Sequence, residues 1–157
     1  MRRIPKIVCG AILVLLMLLL AACNSNDSWK LVEIEGYGSI KVPKEWIVSV
    51  SDGHMYFSME NSGNNKNILV QYRSSDKNEN EYFSDVKEIV SLQGEVFSNS
   101  AGITQEKIYY QDGTSAELFV LWFTGPYDYE STEFICVDST VSEKTLRKIA
   151  RSFVMKK

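Results

Sequence analysis

Two short apolar runs place the strongest constraint on how this chain can fold. Leu118–Phe123 (LFVLWF) and Phe134–Val137 (FICV) are apolar at successive positions, so strands formed there would bury both faces. The run Met55–Met59 instead alternates apolar and polar residues, which is typical of a strand with one solvated face. The sequence therefore predicts a sheet whose middle strands are covered on both sides.

Turn signals between the strand-like runs predict a mainly antiparallel sheet. Asp112-Gly113 joins Thr104–Tyr110 to Ser115–Phe123, and Asp-Gly is among the dipeptides most typical of a tight hairpin. Asp52-Gly53 and the polar segment Asn61–Lys66 separate further strands in the same way. These further strands are predicted at Tyr37–Val42, Trp46–Val50, His54–Glu60, Asn67–Arg73 and Thr132–Val137.

Two segments have the periodicity of amphipathic helices. In Glu79–Gly94 the apolar residues Tyr82, Phe83, Val86, Ile89 and Val90 fall on one helical face. A final helix follows Thr140 and Glu143, which have capping-box spacing, and its apolar face is Leu146, Ile149, Ala150 and Phe153. Together with the strands, these helices predict an α+β fold. It would be an α/β/α-type sandwich with a mainly antiparallel central sheet and helices on its faces.

The first 22 residues have the pattern of a secretory signal peptide. Arg2, Arg3 and Lys6 precede the uncharged run Ile7–Leu20, and small residues follow it. The run has 14 residues, fewer than the about 20 that a membrane-spanning helix needs. An uncleaved N-terminal membrane anchor is the alternative for this segment.

The apolar run ends in Leu20-Ala21-Ala22-Cys23, which resembles the lipobox of bacterial lipoproteins. The resemblance implies that a signal peptidase recognises Leu20, Ala21 and Ala22 and cleaves before Cys23. It also implies thioether lipidation of Cys23 and acylation of its new amino group, for example with palmitate. Two or three acyl chains anchor a protein stably, whereas one chain holds it only marginally. Residues 23–28 would be the lipidated cysteine and a short tether.

Cleavage would leave 135 of the 157 residues, enough for a single domain at 29–157. This mature chain would be extracytoplasmic and membrane-anchored. It would face outward from the plasma membrane, or lie in the outer membrane if the cell has two. It would carry 14 Lys and Arg against 20 Asp and Glu, so its charge does not favour nucleic acid as a partner.

Cys136 would be the one cysteine of the mature chain besides Cys23, so no intrachain disulfide is expected. Cys136 lies in an apolar run, which favours a buried packing role over a reactive one.

The segment Gly36–Trp46 (GYGSIKVPKEW) resembles the opening of the PsbP and Mog family, in which a strand, a proline, polar residues and a tryptophan succeed one another. The later order of elements is also similar, through the final Ser152-Phe153, and small lipoproteins of the DcrB-like kind are among the relatives. The resemblance implies the same fold for this chain, with Trp46 as a core anchor. It brings no catalytic residues with it.

Few residues point to catalysis, metal binding or a cofactor. His54 is the only histidine, which excludes a multi-histidine metal site, and its place beside a turn favours a solvated residue over a general base. Asp128 and Glu130 supply two oxygen donors, far fewer than calcium takes. We therefore predict no catalytic residue, no metal and no cofactor, and expect that the chain is not an enzyme.

Aromatic residues crowd between Tyr109 and Tyr129, and those on the doubly apolar strand, Phe119, Trp122 and Phe123, are expected in the core. Tyr127, Asp128, Tyr129 and Glu130 follow a Gly-Pro turn instead. Exposed tyrosines on a loop give stiff contact area at low entropic cost. We expect this loop to belong to a partner surface.

Three functions remain open. The first is a non-catalytic, lipid-anchored binding or assembly module of the bacterial cell envelope, which contacts membrane lipid through Cys23 and binds an envelope protein. The second is a lipoprotein that binds a small molecule or envelope polymer, for which a deep apolar pocket between helix and sheet would be evidence. The third and least favoured is a hydrolytic enzyme, which a cleft of carboxylates with perturbed pKa values would indicate.

Overall fold

The computed structural model describes residues 28–59, 67–73, 83–126 and 131–157, and it is mainly β. Of these described residues, 65% are in strands and 8% are helical. The elements are β1 (Trp29–Ile34), β2 (Gly38–Pro43), β3 (Trp46–Ser51), β4 (His54–Met59), β5 (Asn67–Arg73), β6 (Val86–Ser98), β7 (Ala101–Tyr110), β8 (Ser115–Thr124), β9 (Ser131–Cys136), the helix α1 (Glu143–Arg151) and β10 (Val154–Met155).

The strands form two antiparallel sheets. The smaller sheet has the order β1-β2-β10, and the larger has the order β3-β4-β5-β9-β8-β7-β6. The smaller sheet and α1 lie side by side against one face of the larger sheet, which we call the first face. Their side chains share one hydrophobic cluster with those of β4, β5, β7, β8 and β9.

The tight hairpins form where the sequence predicts them. Asp52 and Gly53 both have positive φ, 51° and 80°, as the turn between β3 and β4 requires. At the β7–β8 turn the Asp112 carboxylate accepts hydrogen bonds from the amide and hydroxyl of Thr114, at 2.9 and 2.7 Å. These bonds lower the pKa of the exposed Asp112 carboxyl.

The prediction that β8 and β9 are buried on both sides is confirmed. Phe134 lies in the first-face cluster, where the rings of Phe57 and Phe123 meet it edge-on at 5.6 and 5.8 Å. The next residue, Ile135, belongs to a separate cluster on the opposite, second face. The buried members of that second cluster are Val70, Tyr72, Phe83, Ile108, Val120 and Ile135.

The predicted α/β/α-type sandwich is wrong, because the segment expected to form its middle helix continues as strand β6 from Val86; residues 79–82 of that segment lie outside the described residues. In Glu79–Gly94, the residues from 86 onward pair with β7 in an antiparallel ladder with three register shifts. One shift lies between Val86 and Glu88, so Val86 and Ile89 both contact the second-face cluster although they are three residues apart. Because of this bulge, two apolar residues three positions apart lie on one face of a strand, which is the spacing expected of a helix.

The predicted C-terminal helix is confirmed, with a different cap. Ser142 is the N-cap, and its hydroxyl accepts a hydrogen bond from the Thr145 amide. The amide and hydroxyl of Thr140 instead donate to the Asp138 carboxylate. The buried face of α1 consists of Leu146, Ile149 and Ala150.

The fold implied by the PsbP and Mog resemblance is therefore not the fold of this chain. The helix α1 covers part of the first face, and the three-stranded sheet, rather than a second helix, lies beside it. Trp46 is nevertheless a core residue, 3% exposed, and its ring meets Phe57 edge-on at 6.3 Å.

Candidate functional site

The residues chosen from the sequence as functional lie outside the described part of the chain. This holds for the cleavage and lipidation segment, Leu20, Ala21, Ala22 and Cys23, and for the loop residues Tyr127, Asp128, Tyr129 and Glu130. The two ends of that loop, at Pro126 and Ser131, are described and show where on the domain it emerges.

The loop between β8 and β9 emerges beside the β1–β2 turn. The hydroxyl of Tyr37, in this turn, donates a 3.3 Å hydrogen bond to the carbonyl of Ser131. Gly125, at the other end of the loop, is buried next to the Tyr37 ring, and a Cβ there would lie 3.3 Å from Tyr37 Cδ1. The turn therefore fixes both ends of the loop.

A buried polar network supports the same end of the domain. Thr132 is fully buried, and its hydroxyl accepts a 2.8 Å hydrogen bond from the Gln71 amide nitrogen. The Gln71 side-chain oxygen accepts a 3.1 Å bond from the backbone amide of Met55. The network ties the start of β4 to the start of β9 through β5, so that this end of the sheet is held in one arrangement.

Next to this turn lies an open groove of about 500 Å³. Its apolar wall combines buried residues with three exposed ones, Val50, Val154 and Met155, which are 68%, 64% and 42% exposed. Glu33 and Glu35 lie on one side of the groove and Lys156 on another. We call this feature the end groove; it is lined by Glu33, Ile34, Glu35, Gly36, Gly38, Ser39, Val50, Met55, Val154, Met155 and Lys156.

The end groove exists because β10 pairs with β2. Val154 pairs with Ser39 and Met155 with Gly38, and the Lys156 amide donates a 2.8 Å hydrogen bond to the Tyr37 carbonyl. The strands approach closely at Gly38, where a Cβ would lie 2.2 Å from the Val154 carbonyl oxygen. Sequence reasoning missed this site. The apolar pair Val154-Met155 after the final helix was its one local signal.

His54 and Cys136 are the described residues closest in type to catalytic groups. His54 is half-buried rather than solvated, with its ring 5.7 Å from that of Tyr72. Cys136 is buried, as predicted, and its Sγ donates to the carbonyl of Asp138 at 3.3 Å. Burial raises the pKa of the Cys136 thiol to about 11. Among the residues with described positions, no group of three or more His, Cys, Asp or Glu could hold a metal ion.

A cavity of about 180 Å³ lies between α1 and the larger sheet. Its lining includes Gln93, Glu95, Gln105 and Arg147, so it is polar. Arg147 crosses this region to pair with Glu95, and Arg151 pairs with the same carboxylate at 2.8 Å. This cavity is smaller than the about 300–1,000 Å³ of small-molecule sites, so it is not the deep apolar pocket that would be evidence for a small-molecule-binding lipoprotein.

No helix within residues 28–59, 67–73, 83–126 and 131–157 is long and apolar enough to span a bilayer. Comparison with known proteins found no matching family model, no matching curated protein and no matching solved structure. The end groove and the two described ends of the loop beside it are therefore the basis for a functional proposal.

Proposed function

We propose that this chain is a lipid-anchored, extracytoplasmic binding module of the bacterial cell envelope, without catalytic activity of its own. Cys23, following Leu20, Ala21 and Ala22, would carry the lipid. The end groove and the adjacent loop of Tyr127, Asp128, Tyr129 and Glu130 would bind an envelope protein.

The observation that carries the proposal is the placement of the end groove relative to the tether. Strand β1 begins at Trp29, directly after the tether, and ends at Ile34 in the wall of the groove. The five residue-to-residue steps from Trp29 to Ile34 cover roughly 17 Å along the strand. The groove and the two described ends of the loop, Gly125 and Ser131, thus lie near the end of β1 opposite to Trp29, where a partner could reach them.

The chemistry of the end groove specifies the kind of partner. Exposed Val50 and Val154 offer apolar area, and exposed Glu33 and Glu35 place carboxylates beside it. A protein that presents apolar side chains flanked by lysine or arginine would complement both features.

Site-specific photo-crosslinking in cells tests the proposal. A photoreactive amino acid replaces Val154 in the groove, and in a second strain it replaces Val96 on β6. The two positions are similarly exposed, 64% and 69%, so Val96 is a matched control. We expect a discrete crosslinked protein from position 154 alone, and its loss when Glu33→Lys and Glu35→Lys are combined.

Mass spectrometry of the membrane-extracted protein tests the anchor separately. We expect diacylglyceryl on Cys23 and release of the protein from membranes in a Cys23→Ala strain. An identical crosslinking pattern from positions 154 and 96 would refute the groove as the binding site. Cys23 without lipid would refute the anchor.

A further inference from the structure

The positive charges of the mature chain are concentrated in one layer of the fold. The segments that form the smaller sheet, the β2–β3 turn and α1, residues 28–45 and 138–157, contain nine Lys and Arg and five Asp and Glu. The rest of the chain from Cys23 onward contains five Lys and Arg and 15 Asp and Glu. The layer therefore has a net charge of +4 and the remainder one of −10, a contrast that the total of −6 conceals.

Three exposed lysines of this layer, Lys44, Lys144 and Lys148, lie close to the half-buried Trp29. Lys148 lies over the Trp29 ring, with Nζ 4.0 Å from its centroid, and Lys144 is one helical turn away. The Lys44 amide donates to the carbonyl of Ser28, the neighbour of Trp29. We call this surface the basic face; it consists of Trp29, Leu31, Lys41, Lys44, Lys144 and Lys148.

The basic face continues along the smaller sheet. Lys41 pairs with Leu31 across β1 and β2, and its amide donates a 2.7 Å hydrogen bond to the Ser152 hydroxyl at the end of α1. Leu31 is 60% exposed, a large apolar side chain beside the cations. Arg147 and Arg151, in contrast, both pair with Glu95, and Arg147 also pairs with Glu143, so these two arginines contribute little free charge.

We propose that the basic face docks on the anionic lipid surface to which Cys23 is anchored, an inference that rests on the proposed lipid anchor. Five residues separate Cys23 from Trp29, so their Cα atoms lie at most about 21 Å apart. Lysines within a Debye length of an anionic bilayer, about 10 Å, are attracted to it. Trp29 and Leu31 would contact the headgroup region between the cations, as aromatic and apolar residues do at membrane interfaces.

Docking would fix the orientation of the domain on the membrane. The basic face adjoins the tether end of β1, and the end groove, with Glu33, Glu35 and Lys156 in its lining, lies at the other end. Charge thus directs one end towards the lipid and the other towards a protein partner.

An environment-sensitive dye on an introduced cysteine tests the docking. The native Cys136 thiol is buried with its pKa raised to about 11, so it reacts slowly and an introduced exposed cysteine is labelled first. The dye is placed at Leu31→Cys in the lipidated mature protein and, as a control, at Val96→Cys. Both proteins are reconstituted in phosphatidylcholine vesicles with or without one third phosphatidylglycerol.

For the dye at position 31 we expect a blue shift of its emission and quenching of that emission by brominated lipid. Both effects should appear only with phosphatidylglycerol and should be reversed by high salt. Lys144→Gln with Lys148→Gln should reduce the ratio of docked to undocked protein about 25-fold, at about fivefold per cation. Lys87→Gln with Lys107→Gln, the same charge change outside the basic face, should leave that ratio unchanged.

Three results would overturn the docking. The first is a dye at position 31 that gives the same signal as the dye at position 96. The second is a dye at position 31 that is shielded from water equally with and without phosphatidylglycerol. The third is shielding of that dye in native membranes but not in vesicles, which would indicate that a protein covers it. Lipid confirmed on Cys23 in the same sample would leave the anchor standing in each case. Cys23 without lipid would overturn the anchor and the docking together.

Discussion

The two faces of the larger sheet are buried in different ways. On the first face, 18 buried residues of the described chain form one cluster, closed by α1 and the smaller sheet. On the second face, six buried residues form the cluster, and Phe83, which precedes β6, is the buried member from outside the strands. Stability should therefore depend mostly on the first face, and equal substitutions on the two faces should have unequal effects.

The largest difference is expected from replacing one phenylalanine on each face. Phe134→Ala removes a side chain held between two other rings and should destabilise the fold by about 4 kcal/mol. Phe83→Ala removes a ring that meets the ring of Tyr72 at 6.0 Å, and should cost about 3 kcal/mol. Urea unfolding followed by tryptophan fluorescence measures both. Equal costs would show that the two faces are equally important to the fold.

The next largest effects are expected at two glycines where the backbone is crowded. Gly38→Ala would force a Cβ against the Val154 carbonyl and should separate β10 from β2, at a cost of about 2 kcal/mol. Gly102→Ala, on the second face, would place a Cβ 2.4 Å from the Trp122 ring and 2.7 Å from the Glu95 carbonyl oxygen.

The two glycine variants should differ in where the damage is seen. Hydrogen exchange of the Lys156 amide should accelerate in Gly38→Ala, because that amide donates to Tyr37 across β10 and β2. In Gly102→Ala the Lys156 amide should stay protected while tryptophan fluorescence changes. Protection of Lys156 in both variants would mean that β10 tolerates the added methyl group.

A smaller effect is expected at the start of α1, which covers part of the first face. Ser142→Ala removes the acceptor for the Thr145 amide and should cost about 1 kcal/mol. Thr140→Ala is the matched control, since its hydroxyl bonds Asp138 outside the helix, and it should cost less. If Thr140→Ala lowers the free energy of unfolding in urea more than Ser142→Ala does, the capping box predicted from the sequence would be correct.

The last effect appears only at high pH and concerns Cys136, a buried residue of the first-face cluster. Its pKa is about 11 when folded and about 9.0 ordinarily, so between these pH values the folded chain keeps a proton that the unfolded chain loses. The stability that the buried, protonated Cys136 thiol contributes is therefore fully present below pH 9 and decreases as the pH rises towards 11. Urea midpoints at pH 8 and pH 10 should differ less in Cys136→Ala than in the parent chain. An unchanged difference would show that the thiol is not buried in solution.

Strands β2 to β5 and β7 to β9 were predictable from sequence because their signals are local, whereas β1 and β10 were not predicted. Asp112-Gly113 and Asp52-Gly53 determine their own turns, and alternating side chains identify the strands beside them. The final helix was predictable for the same reason, since the spacing of Leu146, Ile149 and Ala150 is undisturbed.

Strand β6 could not be predicted, because its pattern depends on a partner strand. The register shift after Val86 restores Ile89 to the same face, and only the ladder with β7 shows that shift. Tertiary pairing thus overrode a helical pattern. The end groove was hidden similarly, because Val154 and Ser39 come from opposite ends of the chain.

The register shifts of β6 also affect how copies of this protein meet one another. β6 ends the order of the larger sheet, with 13 residues and exposed Val90, Leu92 and Val96. A flat edge strand of that length would be a template for edge-to-edge pairing of copies into fibrils. The shifts near residues 87, 92 and 97 break its hydrogen-bonding groups into short stretches that a second β6 cannot match continuously. Copies crowded on one membrane surface would then meet at their β6 edges without forming a continuous intermolecular sheet.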